Sequence, residues 1–224
     1  MRRHTRASAR ASLLKRLASA TAWRAALAVI ALAACGRASR GDEGRGDTGA
    51  RDTAGGVPVA HTAYSLYDLP SRWHDQTGAA RTLASLKGTP RLISLVYTNC
   101  TSICPMTVAA MQQVESAAGD RGGYVLVSLD PERDSPARLA QYAREHGLSA
   151  RWTLLSGDDD AVRELAALVG VKYRRVAPGD IDHSSTLTIV DAEGRVVAQF
   201  DQPDAVDRAI AVITRFPLPA QPHP

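Results

Sequence analysis

This 224-residue chain is short of several things, and each shortage narrows what it can be. Acidic residues are missing from the first 34 positions, which carry seven of the 27 Lys and Arg. Residues 35–224 therefore hold 20 basic against 23 acidic residues, net −3, although the whole chain is +4. The basic balance belongs to the N-terminus, and no basic stripe with interleaved aromatics follows it, so nothing points to nucleic acid. The apolar run Ala25 to Ala34 is ten residues long, well short of the roughly 20 needed to span a bilayer. Large apolar residues are absent from residue 36 until Val57. Cysteine occurs only three times, at 35, 100 and 104, which is too few for a disulfide-stapled scaffold.

The N-terminus reads as an address. A basic stretch followed by Ala25 to Ala34 suits the apolar region of a signal peptide. Leu32-Ala33-Ala34-Cys35 resembles the lipobox of bacterial lipoproteins, in which cleavage precedes a Cys that is then lipidated. Arg2-Arg3 lacks the rest of a twin-arginine signal. The expected organisation is a signal peptide over residues 1–34, then a lipidated Cys35 with a flexible tether over 35–57. A folded domain over 58–216 and a disordered tail over 217–224 complete it. Such a protein is held on a membrane of the cell envelope, facing the periplasm or extracytoplasmic side.

Within the domain, Leu92 to Tyr97 and Tyr124 to Leu129 are continuous apolar runs, the mark of strands buried on both faces. Between them Pro105 fits the first turn of a helix reaching Ala118, stopped by Gly119. Ser135-Pro136 opens a second helix that ends near His146-Gly147. Trp152 to Leu155 predicts a strand, Asp158 to Leu168 a helix ending at Gly170, and Val171 to Val176 an extended segment. Ser185 to Val190 and Arg195 to Phe200 flank Asp191-Ala192-Glu193-Gly194 as a hairpin, and Pro203 to Phe216 predicts a last helix. The alternation predicts an α/β fold with a mixed central sheet flanked by helices.

Cys100 and Cys104 lie in Tyr97-Thr98-Asn99-Cys100-Thr101-Ser102-Ile103-Cys104-Pro105, between the first core strand and the first core helix. A thioredoxin-like fold places a dithiol there. The positive end of the helix dipole is expected to favour thiolate at both sulfurs. A structural disulfide closing so small a loop would remove little unfolded-state entropy, so the pair reads as functional. Two thiolates select Cu(I), zinc or iron–sulfur clusters, and His183 in Asp182-His183-Ser184 supplies a third donor from the loop before the hairpin. Three ligands suit copper better than structural zinc, which takes four. His61 and His74 fall in an irregular N-terminal part as surface residues, and His146 sits at a helix C-terminus where the dipole suffices to explain it. His4 and His223 lie in leader and tail, and helix packing accounts for Met106.

Redox chemistry is the competing reading, since Cys100 and Cys104 can cycle between dithiol and disulfide. Thioredoxin-type enzymes, however, have two residues between the cysteines and a cis-proline facing them. Here there are three, and no Pro lies between Pro178 and Pro203. Thr101-Ser102-Ile103-Cys104 echoes the Thr-x-x-Cys of peroxiredoxins, but Tyr97 stands where those proteins carry Pro.

The segment Tyr97 to Pro105, the stretch Ser128-Leu129-Asp130-Pro131-Glu132-Arg133-Asp134-Ser135-Pro136 and Asp182-His183-Ser184 together resemble the Sco/SenC family of copper chaperones, over roughly residues 62–201. The resemblance implies a thioredoxin-like fold in which Cys100, Cys104 and His183 bind one copper ion, Cu(I) or Cu(II). It implies that Asp130 lies near that site, where it tunes the metal or meets the partner. The alternative for Asp130 is a solvated turn leading into a helix cap. It further implies delivery of copper to the copper-bearing subunit of a cytochrome c oxidase or related terminal oxidase, rather than turnover. A thiol–disulfide reductase that keeps the oxidase subunit's cysteines reduced is the alternative.

Overall fold

Three parallel strands form the centre of the sheet: β3 (Arg91–Val96), β4 (Gly123–Ser128) and β5 (Trp152–Gly157). β4 is buried along its whole length and β3 at five of its six positions, which is why both read as unbroken apolar runs. Parallel neighbours need crossovers, and α1 (Ile103–Ala118) and α2 (Pro136–Glu145) supply them. α1 stops at Gly119, whose φ of +60° is readily available only to glycine. α2 opens with Pro136 in its first turn and Ser135 as cap, its hydroxyl accepting the Arg138 N–H at 3.3 Å. α3 (Asp159–Leu168) is capped in the same way by the Asp158 carboxylate on the Ala161 N–H.

This computed structural model describes residues 64–201 and 205–218, all within one compact unit spanning Arg51–Pro224. The expected leader, Cys35, the tether, His4, His61 and His223 lie outside the described residues. Among the described residues no helix is long and apolar enough to cross a membrane.

With β1 (Arg72–Asp75), β2 (Ala80–Thr82), β8 (Leu187–Val190) and β9 (Val196–Phe200), the full sheet runs β2-β1-β5-β4-β3-β8-β9. β8 (Leu187–Val190) pairs antiparallel with β3, matching Leu92 to Ile189, and forms with β9 (Val196–Phe200) the hairpin expected around Asp191 to Gly194. α4 (Val206–Ile213) packs on α1, while α2 and α3 lie over β5. The sheet is mixed and flanked by helices, a thioredoxin-like arrangement. Trp73, Trp152, Tyr124, Met111 and Leu126 are among its fully buried side chains, with Tyr124 stacked on Trp152 at 5.2 Å. Met111 and Leu126 each contribute about 1.5–3 kcal/mol through burial.

Three expectations are corrected. The N-terminal part is not irregular: β1 (Arg72–Asp75) and β2 (Ala80–Thr82) form an antiparallel hairpin, with His74 exposed on β1. A buried carboxylate at Asp75, where alternation would place an apolar side chain, hides that strand from a hydrophobic pattern. Asp75 accepts hydrogen bonds from Thr77, Ala79 and Arg81 at 2.5–3.1 Å, which makes its burial tolerable. Asp180–His183 is a strand, β7, paired with β6 (Tyr173–Ala177) in a separate two-stranded sheet. Met106 is 59 % exposed, so core packing does not account for it.

Candidate metal centre

The chain leaving β3 turns at Tyr97 and reaches α1 six residues later, and this loop carries Cys100. Cys104 is the second residue of α1, and its backbone N–H points at Cys100 Sγ, 3.4 Å away. His183, the last residue of β7, brings Nε2 to 3.6 Å from Cys104 Sγ. The two sulfurs and an imidazole nitrogen lie within 4.8 Å of one another. Both thiols are free. Cys100 and His183 line a cleft of about 240 Å³ together with Tyr97, Ile103 and Val176, and Cys104 lies buried beneath them.

The tautomer of His183 suits a ligand. Nδ1 lies 3.1 Å from the Ser184 carbonyl, which can only accept, so Nδ1 carries the proton and Nε2 presents its lone pair to the sulfurs. Burial lowers the imidazole pKa, outweighing the Ser184 hydrogen bond and the Asp182 charge that favour the cation. His183 is therefore neutral at pH 7. The Tyr97 ring meets it edge-on at 5.9 Å.

The two thiols differ, contrary to the expectation of thiolate at both. Burial raises Cys100, but hydrogen bonds from the Cys104 thiol and N–H, and from Ser102, more than compensate and bring it below an ordinary cysteine. Cys104 is fully buried, and burial pushes its thiol up. The helix terminus can favour only the sulfur at which its N–H groups point.

Around the dithiol, a shell of polar residues holds the loop. Asp134 is buried and accepts the Thr98 N–H (3.1 Å), the Thr98 hydroxyl (2.5 Å) and the Ser128 hydroxyl (2.6 Å). Arg138 reaches from α2 to Thr98 Oγ1 at 3.1 Å. Thr107 on α1 and Ser185 share a hydrogen bond of 2.9 Å, and Ser94 on β3 donates to the Thr186 carbonyl at 2.9 Å. These contacts fix the segment that follows His183 without a proline. Asp130 is not a solvated turn residue but is fully buried, its carboxylate accepting Arg133 at 3.1 Å and Arg175 at 2.9 Å. Ser135, five residues on, does cap α2.

The three side chains expected from the sequence thus converge, whereas Asp134, Thr98, Thr107 and Arg175 were not singled out. Asp134 closes the Asp-Pro-Glu-Arg-Asp stretch, a usable signal. Arg175, in a strand with exposed neighbours, offered none.

A thioredoxin-like domain with two thiols and an imidazole gathered where β3 meets α1 belongs to the proteins that handle soft metals or disulfides. The comparison with known proteins narrows that class. The chain belongs to the SCO1/SenC family, whose sequence profile matches residues 62–217. It is 30 % identical over 139 residues to the SCO1 protein homolog of Bacillus subtilis, a match covering 59 % of this chain and 72 % of that one. The SCO2-like protein of Rickettsia conorii is 27 % identical over 135 residues, covering 56 % of this chain and 65 % of the relative. The match thus spans about two thirds of these relatives' own length. Among solved structures, copper-bound ScoI of Bradyrhizobium japonicum superposes with a TM-score of 0.57 at 31 % identity, over 66 % of this chain and 98 % of that one. Copper-bound yeast Sco1 gives 0.56 at 26 % identity, over 69 % and 91 %.

Proposed function

We propose that this chain holds one copper ion through Cys100 Sγ, Cys104 Sγ and His183 Nε2 and delivers it to the copper-bearing subunit of a terminal oxidase. The observation that carries the reading is the convergence of three soft-metal donors within 4.8 Å, with the imidazole in the tautomer that a ligand needs. Two thiolates and one imidazole leave a coordination position free, as transfer to a second ligand set requires. Relatives with copper bound share the fold. Cys104 is enclosed, so an incoming ligand approaches from the side of Cys100 and His183. Ligands then exchange one at a time, and each thiolate of this chain takes back a proton as the ion leaves.

The site works at a membrane of the cell envelope. Leu32 to Cys35 matches a lipobox, and the polar stretch up to Val57 is long enough to hold the domain off the bilayer.

A second reading rests on the asymmetry of the thiols. An acidified Cys100 beside an enclosed Cys104 is also the arrangement of an attacking and a resolving cysteine. Cys100 thiolate would attack a disulfide in the oxidase subunit and release one target thiol. Cys104 would then resolve the mixed disulfide, release the second and leave Cys100–Cys104 oxidised, to be reset by an external dithiol.

Copper stoichiometry of the full chain, purified reduced, decides between them. One tightly held copper in wild type that is lost in Cys100→Ser supports the copper reading. No copper, with reduction of a disulfide in a model partner, moves the protein to the reductase class.

A further inference from the structure

The third donor sits on a weakly anchored element. β6 and β7 pair only with each other, whereas Cys100 and Cys104 are held between the seven-stranded sheet and α1. Of the nine side chains in β6 and β7, only Ile181 is buried. A two-stranded ribbon with so little buried surface is marginal by itself, and such segments open at low free-energy cost. Where His183 lies therefore depends on what ties this hairpin to the body.

Near the tip the ties are single hydrogen bonds, none of them an ion pair. Asn99 donates to the Gly179 carbonyl at 3.3 Å, and the Tyr97 hydroxyl accepts the Ile181 N–H at 3.4 Å while donating to Asp180 at 3.1 Å. In the middle the tie is of another kind. Arg175 on β6, directly opposite Ile181 on β7, donates at 2.9 Å to the Asp130 carboxylate, whose side chain is 1 % exposed. Its second nitrogen reaches Asp159 at the start of α3 at 3.3 Å. An ion pair with an enclosed carboxylate outweighs neutral bonds at 3.3–3.4 Å and a hydroxyl bond to the solvent-exposed Asp180 carboxylate. Arg133 also pairs with Asp130, but it lies three residues away in the same loop and so ties nothing to the hairpin.

We infer that Arg175 is a positioning residue: its ion pair with Asp130 latches the β6–β7 hairpin so that His183 Nε2 stays beside Cys104. Opening this latch withdraws the imidazole and leaves the dithiol in place. Asp130 then acts on the site through Arg175 and the hairpin. The inference rests on the copper reading for its consequence, since the latch sets whether the ion has three ligands or two.

The test uses the full chain as wild type, Arg175→Gln and Arg175→Lys. Amide hydrogen exchange on apo protein is expected to run about tenfold or more faster over β6 and β7 in Arg175→Gln, with β3, β4 and β5 unchanged. Arg175→Lys should recover part of the protection, because Asp130 regains a cation. Cu(II) affinity should fall about 10–100-fold in Arg175→Gln and Cu(I) affinity less, the range seen when a partner that orients a ligand is lost. In a His183→Ala background, Arg175→Gln should change Cu(II) affinity no further, whereas a merely structural role would subtract in both. Arg133 still pairs with Asp130 in the variant, which keeps the buried charge partnered. Should Arg175→Gln fail to fold, Arg175→Lys carries the same comparisons with smaller changes. Unchanged exchange over the hairpin, or an equal Cu(II) loss in both backgrounds, overturns the latch. A wild type that holds no copper yet shows the exchange difference upholds the latch and overturns the copper reading instead.

Discussion

His183 and the two thiols contribute differently to a soft metal. Two thiolates alone satisfy Cu(I), which accepts low coordination numbers, whereas Cu(II) gains more from an imidazole nitrogen. His183→Ala is accordingly expected to weaken Cu(II) by a larger factor than Cu(I) in competition titrations. Equal affinities in variant and wild type would remove His183 from the ligand set. Tyr142 presents a different residue-scale case. It is buried on α2 with a hydroxyl that has no hydrogen-bond partner, and burial, then the nearby Cys104 and Cys100, push its phenol pKa up. An orphaned hydroxyl costs desolvation without return, so Tyr142→Phe should leave stability unchanged or raise it by up to about 1 kcal/mol in urea unfolding. A loss of that size would show that the hydroxyl finds a partner in solution.

At the scale of elements, the loop between β3 and α1 is held from outside itself. Asp134, from the β4–α2 loop, satisfies the Thr98 N–H and two hydroxyls in a buried position. Asp134→Ala leaves those donors unpaired and is expected to cost about 2–4 kcal/mol in chemical denaturation, with weaker copper binding as the cysteine loop loosens. A change within about 0.5 kcal/mol would mean that the loop holds its own shape. Elements with strong local signals were readable in advance: β3 and β4 from their apolar runs, α2 and α3 from their caps, the β8–β9 hairpin from its turn. β7 was not, because Asp180, Asp182 and His183 have no apolar period and pair only through β6. The β1–β2 hairpin was missed for a related reason, its inward position at Asp75 being a carboxylate satisfied by Thr77 and Ala79 of the turn that follows and by Arg81 of β2.

For the molecule as a whole, Asp75 links the edge of the sheet to acid stability. Burial would raise its pKa, but hydrogen bonds from Thr77, Arg81 and Ala79 outweigh it and lower the group from 3.8 to about 2. A carboxyl whose folded pKa is depressed adds stability that is complete well above 3.8 and is lost as pH falls toward 2. Asp75→Asn should lower stability by roughly 1–2 kcal/mol at pH 7 and flatten the acid limb of a stability–pH curve below about pH 5. An unaltered acid limb would assign the loss to other carboxylates. Viewed over the whole chain, the sequence by itself determined the α/β class, the central strands and the identity of the three soft donors. Those follow from local periodicity, from caps and turns, and from the few residue types able to bind a soft metal. Only the tertiary structure decided that Cys100 and Cys104 differ in acidity, that Asp130 faces Arg175, and that His183 rides on a hairpin outside the main sheet. Each of these depends on burial and on partners far apart in the chain, such as Tyr97 and Ile181, 84 residues apart. Burial and long-range pairing are properties of the packed chain, and no local pattern encodes them.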